Sequence, residues 1–362
     1  MSCWLDYKLQ ELKPFISTYI RDNNDFREQL EDLGELPPNA RVVTADATSM
    51  YTNIKLEHAL KVLRWFLDWL DEEGLLPPDF NKELVIEAAR IVMTWNIFEY
   101  GDCYFRQLLG TAMGTPAAVM WSIIYYFWHE KEVLIPKYGN KLRFLKRFID
   151  DLFAVVLIGG DDGMSEAEWS QFKKDLNEWT EAEDPDSECI LTWECDEPST
   201  SVDFLDLTVE IRDGSFITKT YQKPMNLYQY IPPNSAHPPG MIKGMIYGIL
   251  RQYYLQNSKL EDYWKIAMLF YNRLKDRGWL RATLEPIFVA AHEKIRSQFR
   301  SSKKLQPKQT QDSAPLKLFS TWNIIQMIFL KRELESFTRD TAVSSYGKSY
   351  ASSGRLWPTQ DR

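Results

Sequence analysis

The stretch that most restricts this fold is KRFIDDLFAVV, residues 146–156. An apolar pair, Phe148-Ile149, meets two adjacent carboxylates, Asp150 and Asp151, and a second apolar run, residues 152–156, follows at once. Period and β-branched content predict two short strands with the aspartates at the tight turn between them. Flanks this apolar place the turn against a packed sheet, where like charges repel and burial disfavours each of them. A cation resolves that conflict, and a divalent metal is the usual one. Alone, an Asp-Asp pair is more often an exposed acidic turn, so the rest of the chain must decide.

The 362 residues are enough for two or three subdomains and a full core. A net charge of -8 argues against nonspecific nucleic-acid binding by the whole surface. Its distribution says more. Residues 161–210 hold 17 Asp/Glu against two Lys, and residues 215–310 hold 16 Lys/Arg against five Asp/Glu. One face can therefore follow a phosphate backbone. Four cysteines without a CxxC, and only four histidines, give no metal-ligand spacing of their own. Reduced thiols, no apolar leader in residues 1–10 and no apolar run long enough for a bilayer describe a soluble intracellular protein with no membrane partner.

Along the chain, residues 4–33 read as helix interrupted at Asp22-Asn23-Asn24-Asp25, and Pro37-Pro38 ends this lead-in. In RVVTADATSMYTNI, Val42-Val43 starts a strand that delivers Asp46 to its end, and a helix over about 56–73 stops at Gly74. A second helix covers about 81–95, and Gly101-Asp102 turns an aromatic hairpin over 97–105. In QLLGTAMGTPAAVMW, Gly110 and Gly114 give the backbone room, and Thr115-Pro116 marks the start of a buried helix, a loop on which a flat ligand can lie. After the Asp150-Asp151 hairpin come a helix over 166–181 and three strands, 190–193, 202–209 and 216–221, the last two joined at Asp213-Gly214. Residues 241–300 are helical, basic and aromatic. A polar linker, 301–315, leads to a tail whose one apolar patch is 322–330.

Two strand-borne carboxylates, distant in sequence and converging on one edge of an antiparallel sheet, describe a two-metal phosphoryl-transfer site. Here the residues resemble a known family. TADATSMYTNI, GTAMGTP and FIDD are similar to the three catalytic palm motifs of reverse transcriptases. With VDFLDLTV and TKTYQKP downstream, they resemble the Penelope-like branch of retroelement reverse transcriptases. The fold this implies is α+β: a right-hand polymerase palm (antiparallel sheet flanked by helices), then an α-helical thumb, with the fingers truncated. It divides the chain into a lead-in or fingers remnant (1–40), palm (41–235), thumb (236–300) and a linker with a poorly patterned tail (301–362).

The activity implied is RNA-directed DNA synthesis, adding dNTPs to a DNA primer on an RNA template, with a nuclear location allowed. Asp46 and Asp150 would ligate two Mg²⁺ ions, with Mn²⁺ as a substitute and the Ala47 carbonyl assisting; Asp151 would be an auxiliary carboxylate. Tyr51 falls at the family's steric gate against the ribose 2′-hydroxyl. Met113, Gly114 and Thr115 would line the incoming base and template. Lys219 or Lys223 would contact the primer end or the triphosphate, a choice the sequence leaves open. Arg251, Lys259, Lys265, Arg273 and Lys275, with Arg277 and Arg281 and interleaved by Tyr253, Tyr254, Trp264 and Tyr271, would hold nucleic acid.

The chain departs from the family in three places. The 45 residues before Asp46 contain no Lys/Arg-rich hairpin, no GIY-YIG nuclease follows the thumb, and the third motif opens on Phe148 where tyrosine is usual. Two other readings stand beside the polymerase: a truncated, inactive retroelement remnant that only binds nucleic acid, and a two-metal nuclease. The small-residue loop and Tyr51 count against the nuclease, which has no incoming sugar to discriminate.

Overall fold

Continuous apolar runs in β-strands arise when both faces of a sheet are covered, and this governs the architecture. A computed structural model describes residues 1–181, 184–238 and 240–303. In chain order the elements are α1 (Ser2–Gln10), a 3₁₀ turn (Lys13–Phe15), α2 (Asn23–Glu31), β1 (Ala40–Thr48), α3 (Met50–Asn53), α4 (Leu56–Glu72) and α5 (Lys82–Thr94). Then follow β2 (Ile97–Tyr100), β3 (Cys103–Arg106), α6 (Ala118–His129), a π turn (Glu130–Leu134), α7 (Ile135–Tyr138), β4 (Leu142–Phe148), β5 (Asp151–Leu157) and α8 (Glu166–Asn177). Strands β6 (Glu178–Glu181), β7 (Asp184–Ile190), β8 (Thr192–Cys195), β9 (Ser201–Phe204), β10 (Leu207–Arg212) and β11 (Ser215–Thr220) lead to α9 (Met241–Gln256), α10 (Leu260–Asp276) and α11 (Arg281–Lys303).

The central sheet runs β4-β5-β1-β8, every pair antiparallel. Period-two alternation divides its side chains between two cores. Val43, Ala45, Leu152, Ala154 and Val156 join α1, α4, α5, α6 and α8 on one side. Val42, Phe153, Val155 and Leu157 face α2 and the separate sheet β11-β10-β9 on the other. A third core, built on Ile246, Leu250, Phe270 and Leu274, holds α9 to α11 together. The turn between α9 and α10 is tied to β11: Thr218 and Ser258 exchange backbone hydrogen bonds of 2.8 and 2.9 Å through the Thr218 carbonyl and the Ser258 hydroxyl, and Asn257 Oδ1 accepts from the Thr220 amide at 3.1 Å.

Three expectations change. Asp22 does not interrupt a helix but starts one, its carboxylate capping the Asn24 and Asp25 amides. The helix expected to 181 stops at Asn177, whose side chain accepts from the Trp193 amide at 2.6 Å; residues 178–181 pair with β7 and the next strand begins at Thr192. The strand expected over 202–209 is two, folded back at Leu205-Asp206 with Leu205 at φ 53°. The predicted hairpins at 97–105 and Asp213-Gly214 are present, the first extended by one residue through the pairing of Ile97 with Arg106 and the second with φ of 51° and 72° as a tight turn requires. The linker and tail expected from residue 301 lie outside the described residues, save for 301–303, which continue α11. Among the described residues no helix is long and apolar enough to cross a membrane.

Candidate active site

Strand β1 carries Asp46 near its end, and β5 begins at Asp151; the two residues are cross-strand partners. Both strands are interior to the sheet, so the carboxylates meet at one end of the central strands and not along a sheet edge. The two-residue connection Ile149-Asp150 closes the β4–β5 hairpin, with Phe148 paired to Asp151. The Ala47 amide donates to the Asp150 carbonyl at 3.0 Å, which locks the tip onto β1.

A carboxylate missed in the sequence joins them. Glu194, on β8, is Asp46's partner on the opposite side. It sits in an acidic block with no local feature that separates it from its neighbours. Burial, then Asp150 and Asp46, push the Asp151 carboxyl up to about 6, with Lys223 working the other way. Asp46 is raised by burial first, then by Asp150 and Glu194, again opposed by Lys223. Negative charge is thus in excess at this end of the sheet. Beside it a cleft of about 290 Å³ is lined by Arg21, Phe148, Asp151, Leu205, Asp206 and Lys223. The back-fold at Leu205-Asp206 brings Asp206 there, so reading residues 202–209 as one strand hid it.

The first two motifs are in physical contact. Tyr51, half-buried on the short helix α3, accepts at its carbonyl from the Thr111 amide at 2.6 Å. Gly110 has φ 74°, and a Cβ there would lie 2.6 Å from the Tyr51 carbonyl oxygen and 2.7 Å from Thr52 Cα. Only glycine permits that approach. The Tyr51 hydroxyl is pushed up by burial and by the Asp150 charge, against a hydrogen bond with Ser122 of α6, so ring, helix and aspartate share one neighbourhood. Met113 and Gly114 (φ 90°) are exposed on the loop, Thr115 is half-buried, and α6 starts at Ala118, after the turn that Thr115-Pro116 opens.

Lys219 and Lys223 are separated by the fold. Lys219 is exposed on β11 opposite Thr208, whereas Lys223, past the end of that strand, acts on Asp46 and Asp151. In the helical region Arg251, Lys259, Lys265 and Lys275 are exposed, with Lys265 Nζ 3.1 Å from Asp262. Arg273 instead lies over the Tyr228 ring at 4.0 Å. The aromatics expected to stack on bases are largely spent on packing: Tyr253, Tyr271 and the neighbouring Tyr263 are buried in the helical core. An amphipathic helix must bury one stripe, and these rings occupy it.

Among the described residues no three or more His, Cys, Asp or Glu side chains are grouped so that they could hold a metal ion. The donor set nevertheless suits Mg²⁺, which ordinarily takes one or two carboxylates and completes its shell with water and substrate phosphates.

No protein-family model matches the chain, and no curated protein does. Solved structures do. Telomerase from Candida albicans in complex with the TWJ fragment of telomeric RNA matches with a TM-score of 0.50 at 13% identity, over 91% of this chain and 50% of that one. Apo telomerase from Candida Tropicalis matches at 0.43 and 11%, over 90% and 59%. The BmCPV RNA-dependent RNA polymerase at elongation state matches at 0.44 and 11%, over 69% and 22%. The chain therefore spans half the length of the first of these. Its fold is that of a nucleic-acid polymerase, an antiparallel palm joined to a helical thumb.

Proposed function

We propose that this chain is an RNA-directed DNA polymerase of the Penelope-like retroelement type, extending a DNA primer with dNTPs on an RNA template. The observation that supports it best is the meeting of Asp46, Asp150 and Asp151 at one end of the palm sheet, with negative charge that Lys223 only partly offsets. Two Mg²⁺ ions held by Asp46, Asp150 and the Ala47 carbonyl would activate the attacking oxygen and stabilise the leaving one. The protein's own part is positioning. Asp46 is fixed between two neighbouring strands, and the contact of Gly110 with Tyr51 sets the ring under the incoming sugar, where its bulk rejects a 2′-hydroxyl. Lys223, nearer the acids than Lys219, is the side chain to meet the triphosphate. Exposed Arg251, Lys259, Lys265 and Lys275 would follow the backbone of the template–primer duplex.

The deciding assay is dNTP extension of a primed RNA template by the wild type and by Asp150→Asn. Extension that needs Mg²⁺ and disappears in the variant supports the proposal. Salt-sensitive RNA binding without extension, unchanged in Asp46→Asn, identifies a non-catalytic remnant, and shortening of the nucleic acid without added nucleotides identifies a nuclease. Tyr51→Ala should admit ribonucleotides if the ring is a steric gate.

A further inference from the structure

The tip that carries Asp150 is under strain, and a buried cation holds it. Ile149 has φ 59°. In a two-residue hairpin loop a positive φ at the first position normally selects glycine, and a β-branched residue there is an outlier that costs about 1–3 kcal/mol unless its surroundings enforce it. The enforcing group is Arg147. Its Nη1 donates to the Ile149 carbonyl at 2.7 Å and its Nη2 to the Ile123 carbonyl of α6 at 2.8 Å. Its Nε reaches Glu130 Oε1 at 2.6 Å, and both side chains are about 1% exposed or less. Glu130 lies on the π turn after α6, and the Thr18 hydroxyl donates to its other oxygen. The lead-in adds to this, because the Arg147 amide donates to the Thr18 carbonyl at 2.7 Å and the Ile20 amide to the Arg147 carbonyl at 3.2 Å. The lead-in, α6 and the π turn therefore converge on one residue, the lead-in through the Arg147 backbone and the other two through its guanidinium.

We propose that Arg147, charge-balanced by Glu130 and steadied by Thr18, is the positioning residue for Asp150: it fixes the Ile149 carbonyl and joins the aspartate hairpin to the helix that follows the small-residue loop. This rests on the polymerase reading of the site. Arg147 touches no substrate. A fork of donors suits the role better than a point charge, since three acceptors in different directions must be met at once.

The test is a pair of variants measured for extension, for thermal unfolding and for Mn²⁺ binding by EPR. Arg147→Met/Glu130→Leu replaces the balanced pair by apolar side chains, an exchange that folds tolerate. Arg147→Lys keeps the charge and loses the fork, and it serves if the double variant does not fold. We expect an unfolding temperature near that of the wild type and an unchanged KM for template–primer. With them should come a kcat lowered ~10–100-fold and Mn²⁺ affinity weakened on the order of 10-fold, as for residues that orient metal ligands. A folded variant with wild-type kcat and Mn²⁺ affinity overturns the inference and leaves the polymerase reading intact. A parent protein that neither extends primers nor binds Mn²⁺ overturns both.

Discussion

Arg147 and Asp150 stand on one hairpin, yet the fold treats their charges in opposite ways. Arg147 lies in the interior with Glu130 against it, two backbone carbonyls on its nitrogens and the Tyr126 ring 5.2 Å away. Every part of that ion pair is answered from within the protein. Asp150 and its neighbours face one another at the sheet's end, where Asp46 and Asp151 both resist ionisation. A protein built for stability alone would not leave like charges together. The balanced pair is architecture, and the unbalanced cluster is what the proposed function would use to hold cations and phosphates.

Four measurements probe this contrast. The largest effect is expected at the unbalanced end: under the proposed function, Asp150→Asn should lower primer extension at least roughly 100-fold while the fold persists, because it removes the charge that this proposal assigns to the chemistry. Equal activity in variant and wild type would show that the cluster is only acidic surface. At the balanced site, Glu130→Leu alone leaves a buried guanidinium without its partner and should cost about 3–5 kcal/mol in urea unfolding. A loss under 1 kcal/mol would mean that water reaches Arg147 and the two ends are not so different. Gly110→Ala comes third. Its Cβ would strike the backbone of Tyr51 and Thr52 at a position already left-handed, for a loss of about 2 kcal/mol and weaker dNTP use.

The smallest effect carries the opposite sign. With Mg²⁺ chelated, Asp151→Asn should stabilise the protein at pH 7.5, by roughly 1 kcal/mol after discounting for solvent screening. The direction follows from linkage. A carboxyl whose folded pKa is raised, here to about 6, binds its proton more readily in the native state than in the unfolded one. The native state therefore gains from that group at low pH and loses the gain as pH rises through about 6. The advantage of the asparagine should shrink correspondingly as pH falls from 7.5 to 5 in paired thermal melts. A destabilised variant at every pH would place Asp151 among the structural groups.

The parts of this contrast differed in how far they could be read in advance. Asp150 and Asp151 were legible because an apolar-acidic-apolar pattern reports a turn whatever its surroundings, and Asp46 because its strand and the next helix are short-range features. Glu194 was not, since its importance is that β8 lies beside β1. Asp206 was hidden by a reversal at Leu205, where neither glycine, proline nor asparagine marks the turn. Tyr253 and Tyr271 pointed towards nucleic acid by type, but the helices needed them for packing.

The sequence by itself determined the order of the palm and thumb elements, the strand-end position of Asp46, the aspartate turn and the glycine of the loop that meets Tyr51. These depend on periodicity and turn chemistry, which act over a few residues. Only the tertiary structure decided that Lys223 and not Lys219 faces the acids, that Glu194 joins them, and that Arg147 is buried beneath the tip. Each of these depends on which distant segments become neighbours, and burial and Coulomb interaction change with distance in space, not with separation along the chain.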